Sequence, residues 1–139
     1  MEGFTQVCVS EIPIRWGDMD AFGHVNNTVY FRYMEQGRIE WLDAILDGRS
    51  VPGQGPVIVN ASMNFLRQLH YPGRLLGRTL CAAPGRSSVE TRFELRRSDE
   101  PEVLIADGAS KLVWVDYAAG RSVPWPDWLR ASLPSGTAA

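Results

Sequence analysis

The spacing of apolar residues changes twice along the 139 residues of this chain. From Gln6 to Trp16 it alternates loosely, with Val7, Val9, Ile12 and Ile14 set against polar neighbours and Pro13 interrupting. That pattern predicts a half-buried strand, at an edge or bulged, because proline removes a ladder donor. Gly17 to Asn27 is rich in Asp, Gly and Asn and predicts a loop. A helical period follows: Tyr30, Met34, Trp41 and Ile45 recur on one face, joined by Phe31 and Leu42 and widened by Tyr33 and Ile39. The spacing predicts one helix from near Asn27 to near Asp47, with Gly48 as its stop. Gly37, in the middle, costs about 1 kcal/mol against alanine; a close approach by a sheet would account for it. Glu35 is spaced to pair with Arg38 at i, i+3.

After a Gly/Pro loop, Val51 to Pro56, the period returns to two. Strands are predicted over Val57–Arg67, Leu75–Ala83, Ser88–Arg97 and Val103–Asp116. In the third, Val89, Thr91, Phe93 and Leu95 face one way and Glu90, Arg92, Glu94 and Arg96 the other, as on an antiparallel sheet with one packed face. Pro84-Gly85 and Ser98 to Pro101 mark the turns. The tail predicts a short helix from Pro126-Asp127, then a frayed end from Pro134 onward. The order strand, long helix, four strands implies an α+β fold: one domain over residues 1–139, with one helix against a five-stranded antiparallel sheet. One helix covers only one sheet, so a partner subunit is expected to bury what remains.

Composition narrows the function. The chain is 45% apolar and 22% charged, enough for a real core. Its 14 basic and 16 acidic residues include no basic run, which removes the electrostatic case for nucleic acid. The N-terminus lacks a signal-peptide pattern, and no apolar run approaches the roughly 20 residues of a membrane span. Cys8 and Cys81 lie in apolar, strand-like stretches and read as buried free thiols. These features together point to the cytoplasm. The two histidines, His24 and His70, form no zinc-spaced cluster, and no glycine-rich nucleotide loop is present. No metal or cofactor is expected.

The candidate chemistry lies in Trp16-Gly17-Asp18-Met19-Asp20-Ala21-Phe22-Gly23-His24-Val25-Asn26-Asn27, just before the helix. A helix N-terminus points free N–H groups outward and carries partial positive charge. A carbonyl oxygen placed there is polarised, and the oxyanion formed on attack meets preorganised donors. A nearby carboxylate could attack an acyl carbon or activate water. Gly23 would let backbone come close to a substrate. By themselves, Asp18 and Asp20 are equally suited to shaping a turn, and Asn26 or Asn27 to capping the helix.

The string from Trp16 to Asp20, then Gly23-His24-Val25-Asn26-Asn27, Tyr30, Tyr33-Met34-Glu35 and Arg38, resembles the 4-hydroxybenzoyl-CoA thioesterase-like branch of the hot-dog superfamily. Phe65, Tyr71-Pro72-Gly73 and Gly85-Arg86-Ser87-Ser88 match more weakly. The resemblance covers about residues 6 to 117. It implies a sheet wrapped around a central helix, homodimers or homotetramers, and active sites at the dimer interface. The implied activity is hydrolysis of an acyl-CoA. Asp20 would be the catalytic carboxylate, as nucleophile or general base. Backbone N–H groups of Gly23, His24, Val25, Asn26 and above all Asn27 would polarise the carbonyl. Arg86, Ser87 and Ser88 would contact the CoA moiety. The motif also resembles plant-type acyl-ACP thioesterases, but these carry asparagine where Phe22 stands, so their full Asp-Asn-His set is missing. That leaves His24 three roles: orienting water, touching substrate, or holding the loop. Asp18 reads as structural. Phe22, Tyr30, Met63 and Phe65 are candidates for the acyl pocket. A non-catalytic acyl-CoA-binding module on the same fold is the alternative function, and a hot-dog hydratase a weaker third.

Overall fold

Alternation and helical period become strands and helix much where the pattern puts them. The structure, a computed structural model, describes residues 2–135. In order come β1 (Phe4–Pro13), a single 3₁₀ turn (Trp16–Asp18), α1 (Asn27–Leu46) and β2 (Gln54–Phe65). Then follow β3 (Arg74–Ala82), β4 (Ser88–Arg97), β5 (Glu100–Asp116), β6 (Arg121–Ser122) and α2 (Asp127–Arg130). The strands form one antiparallel sheet in the order β1-β3-β4-β5-β2, with β6 added to β5. The expected five strands are therefore six; β6 has two residues, too few to show alternation. β2 starts three residues early, at Gln54, because an edge strand accommodates Pro56. β1 holds the other edge, bulged between Gln6 and Cys8, with Pro13 on its last rung. The frayed end expected of the tail lies, from residue 136, outside the described residues.

The helix lies against one face of the sheet. Tyr30, Tyr33, Met34, Gly37, Trp41 and Leu42 are its buried residues. Ile39 is not part of that face: it is 44% exposed, because two residues from Gly37 is about 200° around the helix. Gly37 has the role its position suggested. A Cβ there would lie 2.9 Å from Thr79 Oγ1 and 3.0 Å from Phe93 Cε1. Gly77 makes the matching space in the sheet, since its Cβ would meet Phe93 at 2.8 Å. Phe93, almost fully buried, thus lies where helix and sheet come closest.

Buried side chains form two clusters. One gathers Ile12, Ile14, Val25, Tyr30, Leu69, Leu75, Leu95 and Ile105 around the start of α1. The other gathers Trp41, Leu42, Val89, Leu112, Trp114, Trp125 and Leu129 around its end. A polar rung lies on β4 and β5, where the Thr91 and Ser110 hydroxyls meet at 2.7 Å and satisfy each other. Cys8 and Cys81 are free thiols, and burial pushes the Cys81 thiol up to about 12.

Candidate active site

The loop before α1 is built from its own polar groups. Asn26 is the N-cap, its side chain accepting from the Thr28 N–H at 3.0 Å. Asp18 has the structural role its position suggested. Its Oδ2 accepts from the Arg15 N–H at 2.9 Å and from the Tyr33 hydroxyl at 2.7 Å, tying the 3₁₀ turn to the helix. The Glu35–Arg38 pair is not formed. Glu35 instead meets Arg32 at 3.4 Å, one turn towards the N-terminus, while Arg38 Nη1 is buried among the core-facing residues without a hydrogen-bond partner.

Asp20 closes a tight turn. Its N–H donates to the His24 carbonyl at 2.9 Å, and the Gly23 N–H returns a bond to the Asp20 carbonyl at 3.0 Å. The carboxylate takes the Phe22 N–H on Oδ1 at 2.9 Å and the Asn26 amide on Oδ2 at 3.1 Å. These two donors, backbone Phe22 first, hold the Asp20 carboxyl below the ordinary carboxylate range. It is therefore an anion at any pH near neutrality. Each oxygen keeps a lone pair beyond the bond shown, so a water or substrate proton can still be received.

Hydrogen bonding sorts the amides that were candidates for polarising a carbonyl. Gly23 donates to Asp20, Val25 to the Leu69 carbonyl at 2.8 Å, and Asn26 to the Asp18 carbonyl at 3.0 Å. Their N–H groups are engaged within the loop. The His24 N–H forms no close hydrogen bond among the described residues, and of the groups that favour the charged Asp20 carboxylate it contributes least. Asn27, first residue of α1, has no intrahelical acceptor, and its N–H meets none among the described residues. Gly23 adopts φ +82°, a backbone conformation suited to glycine, and a Cβ there would meet nothing within 4 Å.

A cleft of about 340 Å³ opens beside this amide, lined by His24, Val25, Asn27, Tyr30 and Phe65 to Gln68. Tyr30 and Phe65 meet edge to face at 5.1 Å. Met63 packs near Met34 over Gly108 and is not among the residues lining the cleft. Phe65 and Leu66 belong to the free edge of β2 and its exit, and are about half exposed, so this wall is open on one side. Phe22 stands 87% exposed at the loop tip, outside the lining. Arg86, Ser87 and Ser88 are elsewhere. They form the β3–β4 turn beside Trp125, whose N–H donates to the Arg86 carbonyl. That turn belongs to the cluster at the far end of α1, about 30 Å from the helix start.

The sequence pattern passed over Leu69 and His70. Leu69 is a buried apolar residue in a segment with no period. The His70 Nδ1–H donates to the Gly23 carbonyl at 3.0 Å, and its ring lies 4.6 Å from that of His24. Only a pairing between distant segments of the chain reveals either.

One antiparallel sheet packed on one long helix is the hot-dog architecture. The model of the thioesterase-like superfamily matches residues 14–133, and the chain belongs to that family. The chain is similar to the PA2801 protein of Pseudomonas aeruginosa, at 34% identity and TM-score 0.85, covering 92% of this chain and 98% of that one. It is 31% identical to the chloroplastic acyl-acyl carrier protein thioesterase ATL2 of Arabidopsis thaliana over 82% of this chain, and spans 60% of the plant protein. The fold also matches Slr0204 of Synechocystis, a 1,4-dihydroxy-2-naphthoyl-CoA thioesterase, at TM-score 0.81 and 18% identity over 90% of this chain and 93% of that one. The chain is a thioester hydrolase. No helix among the described residues is long and apolar enough to cross a membrane.

Proposed function

We propose that the chain is a cytoplasmic acyl-CoA thioesterase, acting as a single hot-dog domain in a homo-oligomer, with Asp20 as its catalytic carboxylate. The observation that carries this reading is that one loop holds an ionised Asp20, tied to the N-cap Asn26, and leads straight into the unengaged N–H of Asn27, which borders the cleft. The thioester oxygen takes the Asn27 N–H, where the helix dipole adds to the polarisation. Asp20 then either draws a proton from the water that attacks the acyl carbon, or attacks that carbon itself to give a mixed anhydride that water hydrolyses. On either route the C–S bond breaks, CoA leaves as the thiolate and takes up a proton, and the acyl group leaves as the free acid. His24 lines the cleft and contacts the acyl end of the substrate. Free cysteines fit a reducing compartment.

The open wall calls for a second copy. β2 is an edge strand with Ile58, Val59 and Phe65 exposed. Antiparallel pairing of two such edges about a two-fold axis joins the sheets. It also reverses the partner end for end. The partner's β3–β4 turn then reaches the end of the dimer that holds Asp20, where a cation and two hydroxyls suit a CoA phosphate.

The test is release of free thiol from short, long and aromatic acyl-CoAs, with an acyl-carrier-protein ester alongside. Turnover of one CoA class supports the reading. Turnover of the carrier-protein ester alone would move the substrate to the plant relatives' kind. Tight binding of CoA esters with no turnover of any would return the protein to the binding-module class.

A further inference from the structure

We propose that His70, on the β2–β3 connection, is a positioning residue for the Asp20 carboxylate, acting through the Gly23–His24 peptide. The inference rests on the reading of Asp20 given above. A peptide unit is planar and trans, so its C=O and N–H point opposite ways. His70 donates from Nδ1 to the Gly23 carbonyl at 3.0 Å. Holding that oxygen fixes the peptide plane inside the turn that Asp20 closes, where the Gly23 N–H donates to the Asp20 carbonyl at 3.0 Å and the Asp20 N–H to the His24 carbonyl at 2.9 Å. Gly23 is the residue in this loop most free to turn. Its φ is +82°, it has no side chain, and nothing lies within 4 Å of its Cβ position. Without an anchor on its carbonyl, the Gly23–His24 peptide can rotate and loosen the turn from which the Asp20 side chain is set.

His70 is itself held from both sides. The preceding Leu69 is buried, and its carbonyl accepts the Val25 N–H at 2.8 Å. The His70 carbonyl accepts Arg97 Nη1 at 3.2 Å, and Arg97 Nη2 reaches the Pro72 carbonyl at 3.1 Å. Asp99 fixes that guanidinium at 2.9 Å. Three residues before His70, the Tyr30 hydroxyl holds the Arg67 carbonyl at 3.2 Å. The segment from Arg67 to Pro72 is thus a strap anchored to helix, loop and sheet, and His70 is its contact with the catalytic turn. The same ring rests 4.6 Å from His24 and limits where that side chain can sit in the cleft. His70 is exposed, so its ring adds little to the core. Its effect on Asp20 is therefore separable from folding.

The experiment compares His70→Leu, which removes the donor, with His70→Asn, whose amide nitrogen can take the place of Nδ1. Two readouts are taken: kcat and KM on the preferred thioester, and the Asp20 carboxyl titration followed by carbon NMR. His70→Leu is expected to lower kcat about 10- to 100-fold, the scale of a misplaced catalytic group, with KM within about threefold. Asp20 should titrate at higher pH in the same variant. His70→Asn should recover most of both, and Tm should be unchanged in each. Wild-type kcat and an unmoved Asp20 titration in His70→Leu would overturn the proposal, as would a loss seen only in KM. If wild type hydrolyses no thioester, the hydrolase reading of Asp20 fails, while the titration still decides whether His70 acts on that carboxylate.

Discussion

The two ends of α1 solve the same problem in opposite ways. Each end of a helix leaves four backbone groups without intrahelical partners. At the C-terminal end Asp47 turns left-handed at φ 49°, its N–H returns to the Asp43 carbonyl, and Gly48 at φ 76° leads the chain away. Around it Trp41, Trp114, Trp125, Leu129 and Leu133 close an apolar cluster. Arg49 stacks on Trp128 at 4.1 Å, and Arg130 holds the Gly85 carbonyl at 2.7 Å. At the N-terminal end the loop engages the amides of Gly23, Val25, Asn26 and Thr28 but leaves Asn27 open beside a cleft. One end is finished by packing. The other is held by polar contacts that leave a donor and an anion available. Within one subunit the packed end and the proposed catalytic end thus lie about 30 Å apart, and changes at one should leave the other's own loop largely untouched.

The largest stability effect is expected far from the site. Trp125→Ala removes a buried ring and its N–H bond to the Ser88 carbonyl, and should cost about 3–5 kcal/mol. Chemical denaturation measures this. The fraction still folded should keep its kcat while KM rises, because the ring backs the Arg86–Ser88 turn proposed to meet CoA; a fall in kcat per folded molecule would break the separation of the two ends. Between the ends, Gly37→Val drives methyl groups into Thr79 and Phe93 and should cost about 1–3 kcal/mol. An unchanged Tm in that variant would show that helix and sheet part more easily than the contact implies.

A smaller effect sharpens the proposed catalytic end. Asn26 donates to Asp20, which favours the charged carboxylate, so Asp20 is held below its ordinary value of 3.8. In wild type the acid limb of kcat/KM should therefore fall below that value. Asn26→Ala should move the limb to higher pH, towards the ordinary value. Linkage carries the same sign. Stability from the depressed carboxyl is present above the unfolded-state value and is lost as pH falls through the folded one. A limb that stays in place in Asn26→Ala would remove that amide from the tuning of Asp20. Smallest of all, Cys81 should resist thiol reagents in the native state, since burial raises its thiol to about 12. Rapid labelling of Cys81 would show that the sheet opens locally at its place on β3.

Much of the fold was legible because it rests on period. The alternation of Ser88–Arg97 places Val89, Thr91, Phe93 and Leu95 in the core, and the central glycine of α1 marks its contact with the sheet. Ile39 shows the limit: hydrophobicity alone does not say which side of a helix meets the sheet. β6 was too short to carry a pattern. Of the site, the local part was readable, since the loop from Asp18 to Asn27 is continuous in sequence and its caps follow from residue type. Which amide stays unengaged was not readable. That depends on Leu69 and Asp18 carbonyls arriving from folded neighbours. His70 lies 47 residues from Gly23, a pairing that only the β2–β3 connection brings about. Glu35 chose Arg32 over Arg38 because Arg38 turns towards the core and Arg32 towards solvent.

The central claim is that Asp20 carries the chemistry. Its most direct test is the kcat of Asp20→Asn on the preferred thioester, with folding checked by circular dichroism and Tm. The account predicts a folded protein whose kcat falls at least about 100-fold, the scale for removing an acid–base group. A folded Asp20→Asn protein that turns over near the wild-type rate would contradict it and place the catalytic group elsewhere.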